Sequence, residues 1–84
     1  MASVHLTAEA QKQFTTLPRT IQARVTRLLE RLEKWPNVSG AKPLRGDLAG
    51  SYRLRTGDYR LQFHVVGDTV LVERIGHRDG FYED

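Results

Sequence analysis

Four arginines, a histidine and a tyrosine in the second half of this 84-residue chain could together handle a phosphate: Arg53, Arg55, Arg60, His77, Arg78 and Tyr82. Arginine presents a planar fork that grips two phosphate oxygens at once and stays charged at any cellular pH. Several such forks around one point suit a phosphodiester, and also the extra negative charge that develops when one is attacked. Histidine titrates near neutrality and could move a proton. Taken singly, each residue has a plainer explanation. Arginines on an outward strand face are usually solvated, a lone histidine is usually a surface residue, and a tyrosine near a chain end more often packs its ring against the domain. The elements that carry these groups decide whether they meet.

Those elements follow from pattern. Val4 and Leu6 alternate with polar neighbours in a short first strand. Thr7 caps a helix with Glu9 in its first turn and Ala10, Phe14 and Leu17 on one face. Pro18 ends that helix and suits the start of the next. There Ile21, Val25, Leu28, Leu29, Leu32 and Trp35 recur at helical spacing, while Arg24, Arg27, Arg31 and Lys34 form a solvated basic face until Pro36 stops the helix. The polar stretch from Pro36 to Gly50 reads as an ordered loop carrying Lys42 and Arg45. Then come the segments SYRLRT, YRLQFHVV and TVLVERI, separated by Gly57-Asp58 and Gly67-Asp68, which are good two-residue hairpin turns. The expected fold is α+β, a single domain over residues 1–84, with an N-terminal helical hairpin packed on a small, mainly antiparallel sheet.

The hairpin turns set a register. Counting outward from Gly57-Asp58 pairs Thr56 with Tyr59, Arg55 with Arg60, Leu54 with Leu61, Arg53 with Gln62 and Tyr52 with Phe63. Tyr52, Leu54, Leu61 and Phe63 then share one face, and Arg53, Arg55, Arg60 and Gln62 the other, a separation that a three-residue turn would destroy. The same count across Gly67-Asp68 pairs Val65 with Val70, Phe63 with Val72 and Arg60 with Ile75. Arg55, Arg60, His77, Arg78 and Tyr82 are therefore expected at one end of the open face, with Arg53 one step back. Leu71 and Ile75 are expected on that face too, as a strip for a partner chain. Like charges directly opposite each other are unfavourable, so the Arg55 and Arg60 pair needs a reason, and a bound anion is one.

Composition narrows the field. With 39% hydrophobic and 27% charged residues the chain suits a globular domain. The absence of cysteine excludes thiol catalysis, disulfides and cysteine-bound zinc, and His5 and His64 are too dispersed to suggest a metal site. Neither metal nor cofactor is expected. No run approaches the ~20 apolar residues of a membrane span, and the start lacks a signal peptide's apolar segment. The expectation is a cytoplasmic protein without a membrane partner. The net charge of +3 is uneven, with eight Lys and Arg against four acids in residues 1–50 and five against six in residues 51–84. Phosphate binding in the second half therefore depends on placement rather than bulk charge.

The helical hairpin, then LRGDLAGSYRLRTGDYRLQFHV, then IGHRDGFY, resembles the RelE/ParE superfamily of bacterial toxins from type II toxin–antitoxin systems, over essentially the whole chain and closest to the RelE branch. The most specific pieces are Leu44-Arg45-Gly46, the Tyr52 strand with its alternating basic residues, Tyr59-Arg60-Leu61, and the terminal basic-Arg-x-x-x-Tyr segment. The resemblance implies a RelE-like fold and an mRNA interferase, an endoribonuclease that cuts messenger RNA in the ribosomal A site. In that chemistry a ribose 2′-hydroxyl attacks the adjacent phosphate. A cognate antitoxin would block the toxin, and operator DNA would be bound through the antitoxin.

Carried over residue by residue, Arg60 matches the family's strand arginine at the scissile phosphate and Arg78 its terminal arginine that stabilises developing charge. Tyr82 matches the tyrosine that stacks on the nucleotide. Arg53 and Arg55 stand where RelE has lysines, and with Arg45 they are expected to bind substrate. Arginine is a poor general base, so His77 becomes the first candidate for proton transfer and Tyr82 the second. RelE continues beyond its tyrosine, whereas only Glu83 and Asp84 follow Tyr82 in this sequence. The competing expectation is a ParE-like inhibitor of DNA gyrase without RNA chemistry, although ParE-like chains generally lack the complete basic and tyrosine set. A third is a DNA-binding member that acts only with its antitoxin.

Overall fold

The alternating segments of the second half form three long strands, β3 (Ser51–Thr56), β4 (Tyr59–Val66) and β5 (Thr69–His77), in a computed structural model that describes residues 1–81. Two shorter strands flank them, β1 (Ser3–Leu6) and β2 (Lys42–Pro43), giving the sheet order β1-β5-β4-β3-β2. β1 runs parallel to β5 and the other neighbours are antiparallel. Gly57 and Gly67 each take a φ of 58°, the left-handed conformation that a tight hairpin turn needs and that glycine adopts without a Cβ clash. β2 lies inside the stretch expected to be only a loop. Two residues of pairing carry little pattern to detect.

Helix α1 (Ala8–Thr15) begins at Thr7, whose hydroxyl accepts a hydrogen bond from the Ala10 amide at 3.0 Å. Helix α2 (Arg19–Leu32) starts after Pro18 and ends one turn before Trp35, where the helical pattern was expected to stop. The residue before a proline is pushed out of the helical region, and the chain responds by tightening. Glu33, Lys34 and Trp35 donate to carbonyls three residues back instead of four. Trp35 still reaches the core, with its ring edge-on to Tyr52 at 4.7 Å and to Phe63 at 5.3 Å.

Both helices cover one face of the sheet. Ala10, Val25, Leu28 and Leu32 meet Leu54, Leu61, Phe63, Val70, Val72 and Ile75 in a single buried cluster. The first hairpin pairs Arg55 with Arg60, Leu54 with Leu61 and Tyr52 with Phe63, the register obtained from its two-residue turn.

The second hairpin departs from a simple count. Val65 pairs with Val70 and Phe63 with Val72, but a bulge beside Gln62 and Phe63 inserts one residue into β5, so Gln62 faces Arg74, Leu61 faces Ile75, and Arg60 faces Gly76 rather than Ile75. The cause is burial. A one-residue slip exchanges the two faces of a strand, and without it Ile75 would leave the core while Arg74 entered it. With the bulge, Ile75 is buried and no part of it serves an open-face docking strip. Leu71 does remain exposed. The extra residue, Glu73, is held from several sides. Its carboxylate accepts from Ser51 Oγ at 2.9 Å and Gln62 Nε2 at 3.1 Å, and its carbonyl accepts from Thr7 Oγ1 at 3.1 Å. Gln13 of α1 completes the device by accepting the Ile75 amide at 2.7 Å.

Candidate active site

The open face carries the cations. Arg60 lies opposite Arg55, and direct partners in an antiparallel ladder project to the same side. Arg60 and Arg53 are only 7% and 9% exposed, which separates them from the solvated arginines of an ordinary outward strand face. Arg60 Nη1 donates to the Gly57 carbonyl at 3.1 Å and the Tyr59 carbonyl at 3.3 Å, so the guanidinium is turned back onto the hairpin turn and held there.

Arg78 arrives at that turn from the other end of the chain. Its amide donates to the Asp58 carbonyl at 2.7 Å, and its side chain stands 3.8 Å from both the Asp58 and the Asp79 carboxylates. At 3.8 Å these ion pairs are too long for hydrogen bonds, and both partners are largely exposed, so they tie the guanidinium down weakly. Arg60 and Arg78 thus ride on adjacent residues of one turn although they lie 18 positions apart in the sequence.

The segment after β5 folds back as a short 3₁₀ turn, η2 (Arg78–Gly80). Arg74 Nη2 donates to the Gly80 carbonyl at 2.7 Å, and its guanidinium carbon lies 3.9 Å from the centre of the Phe81 ring. A Cβ placed on Gly76 would come within 3.2 Å of that ring, so a glycine opposite Arg60 lets Phe81 close down on the sheet.

His77 is placed differently. With the bulge, its direct partner is Tyr59, and the two rings meet edge to face at 5.3 Å. Alternation puts this pair on the side away from Arg60, whereas the uninterrupted count had put His77 on Arg60's side. Its Nδ1 lies 3.2 Å from the Asp79 amide and 3.3 Å from an Asp79 carboxylate oxygen. The neutral ring can accept the amide N–H and carry its own proton on Nε2, while the charged ring can donate to the carboxylate. Arg45 lies beyond the opposite end of β3 from the turn, exposed at the start of a 3₁₀ turn, η1 (Gly46–Leu48), so it does not join Arg60 and Arg78. Tyr82 lies outside the described residues.

Besides Arg74, two cations missing from the sequence-based site stand near it. Arg24 of α2, read as part of a solvated helix face, brings Nη1 to 3.4 Å from where a Gly57 Cβ would be. Lys42 of β2 lies directly opposite Arg53. Neither had a local signal, because one depends on the crossing of helix and sheet and the other on a two-residue strand. No group of three or more His, Asp or Glu that could hold a metal occurs among the described residues. No helix there is long and apolar enough to cross a membrane.

Fold and corner together define a small α+β protein whose uncovered sheet face gathers guanidinium groups at one hairpin turn. A family profile described as the ParE toxin of type II toxin–antitoxin system, parDE, matches residues 4–80, and the chain belongs to this family of the RelE/ParE superfamily. It is 35% identical over 83 residues to toxin RelG of Mycobacterium tuberculosis, spanning 95% of this chain and 94% of that protein. Among solved structures it is similar to the toxin–antitoxin complex RelBE2 of M. tuberculosis, with a TM-score of 0.79 and 32% identity over 92% of this chain and 91% of that one. The isolated E. coli RelE toxin matches with a TM-score of 0.79 at 22% identity, over 92% of this chain and 84% of that one, a likeness of fold.

Proposed function

We propose that this toxin is a ribosome-dependent endoribonuclease that cuts messenger RNA in the A site, held in check by a cognate antitoxin through which it also reaches operator DNA. One observation carries the reading: Arg60 is buried and fixed to the Gly57-Asp58 turn, with Arg55 directly across the ladder and Arg78 on the same turn. The names of the relatives support it, several being RelE toxins and toxin–antitoxin complexes.

In the reaction, a ribose 2′-oxygen bonds to the adjacent phosphorus as the P–O5′ bond breaks. The 2′-hydroxyl loses its proton and the departing 5′-oxygen gains one, leaving a 2′,3′-cyclic phosphate and a 5′-hydroxyl. Arg60 holds the non-bridging oxygens from a position already fixed, so little reorganisation accompanies the rise in charge. Arg78 is loosely paired and free to close on the same phosphate. Arg53 and Arg55 steer the strand. His77 is the titratable candidate for proton transfer: as the imidazolium it would protonate the 5′-oxygen and be left neutral, acting from the strand end because its ring faces away from Arg60.

Expression of the chain in a bacterial host, with mapping of message 5′ ends, tests this. Cleavage within translated codons is expected. Arg78→Ala, at an exposed residue, should lower the cleavage rate roughly 10²–10³-fold without unfolding the protein. Undiminished cleavage and toxicity in both Arg78→Ala and Arg60→Lys would sink the proposal. The matching family profile favours a second reading, a ParE-like inhibitor of DNA gyrase. In that case messages stay intact and DNA damage signalling rises.

A further inference from the structure

Strand β2 is too short to cover β3, and the gap it leaves is cationic. Leu44 donates its amide to the Ser51 carbonyl at 2.9 Å, and Lys42 pairs with Arg53. Residues 51 and 53 therefore turn their backbone polar groups towards β2, and by alternation so does Arg55. No β2 residue stands opposite Arg55, because the strand begins at Lys42. A pocket of about 280 Å³ fills this position, lined by Gly40, Lys42, Arg53, Leu54 and Arg55. Among the described residues the lining holds three cations and one apolar side chain, beside the outward-facing amide of Arg55. Lys42 facing Arg53 is also the second like-charged pair across this sheet, after Arg55 facing Arg60.

We propose that this gap is a second phosphate subsite, in which Lys42 and the Arg55 amide bind the backbone phosphate of a nucleotide flanking the scissile one. The proposal rests on the RNA-cleaving reading and adds a residue to it. Lys42 and Arg60 are two strands and two residues apart, about 12 Å between backbones. Because Arg60 is turned back onto the Gly57 and Tyr59 carbonyls, Lys42 is placed for a neighbouring phosphate, and the subsite needs a longer strand. A peptide strand added at the β3 edge is the other conceivable occupant. The lining favours RNA, since it offers repeated positive charge and a single apolar contact.

The test is fluorescence anisotropy of the full chain with 2′-O-methyl oligoribonucleotides, which cannot be cut: a dinucleotide with one phosphate and a tetranucleotide with three. Lys42→Ala, at an exposed position, should leave dinucleotide affinity unchanged and weaken tetranucleotide binding several-fold. It should also reduce the slope of log affinity against log salt by about 0.7, the contribution of one phosphate on a single strand. Unchanged tetranucleotide affinity and slope in the variant, with the unsubstituted chain binding normally, would overturn the subsite and leave the cleavage reading standing. Weakened antitoxin binding with unchanged RNA binding would assign the edge to a protein partner and also overturn it. If the unsubstituted chain binds the tetranucleotide no more tightly than the dinucleotide, the subsite is likewise overturned, while the cleavage reading stands or falls on the mapped message 5′ ends.

Discussion

Arg60 owes its position to two carbonyl oxygens of the turn it belongs to, Gly57 and Tyr59. A lysine there keeps the charge but loses the fork, and a point charge cannot hold both carbonyls and a phosphate in one plane. Arg24 approaches the same turn from the helix side. Arg24→Ala is therefore expected to weaken RNA binding to a similar extent for all sequences and to reduce the salt slope by about 0.7, as loss of one phosphate contact on a single strand does. Salt titration of the variant checks this. A slope equal to that of the unsubstituted chain returns Arg24 to the solvated face of its helix. His77→Gln is the matching test of proton transfer. Roughly 10²-fold slower cleavage with unchanged RNA affinity supports general acid catalysis, and an unchanged rate removes His77 from the mechanism.

Among the elements, β5 carries the decision that places the site. Its bulge returns Ile75 to the core, lifts Arg74 to the open face, sets Gly76 beside Arg60 and turns His77 away. Gln13 holds the bulge from outside by accepting the Ile75 amide. Gln13→Leu would strand that donor, and a half-buried unsatisfied amide costs about 1–3 kcal/mol. Denaturant unfolding should show a loss of that size, with faster hydrogen exchange at Ile75 than elsewhere in β5. Exchange that is unchanged at Ile75 would mean that the strand keeps its register unaided.

For the whole molecule, the difficulty is size. A chain of 84 residues has one small core, and native domains are stable by only about 5–15 kcal/mol. Phe63 is fully buried, ringed by Trp35 and Tyr52 and overlain by the helices. Phe63→Ala should cost about 3–5 kcal/mol, a large share of that margin. Thermal melts of the chain alone, and with its antitoxin, provide the check. The isolated variant is expected to melt well below the unsubstituted chain, and a tightly bound partner should recover much of the loss by mass action.

The parts of this protein legible in its sequence were those that depend on neighbours in the chain. The α2 stripe from Ile21 to Leu32, the Thr7 cap and the register of the first hairpin follow from local periodicity and turn chemistry, and each stands in the structure. The bulge also left a trace, in apolar spacing that changes from two between Val70 and Val72 to three before Ile75. A simple count passed over it, and so misplaced Ile75 and turned His77 to the wrong face. Tertiary structure alone decided the rest: the burial of Arg60, the approach of Arg24 and the gap beside Lys42. These depend on how strand ends, a helix and a two-residue strand converge in space, and no periodicity within one segment records the angle at which it meets another.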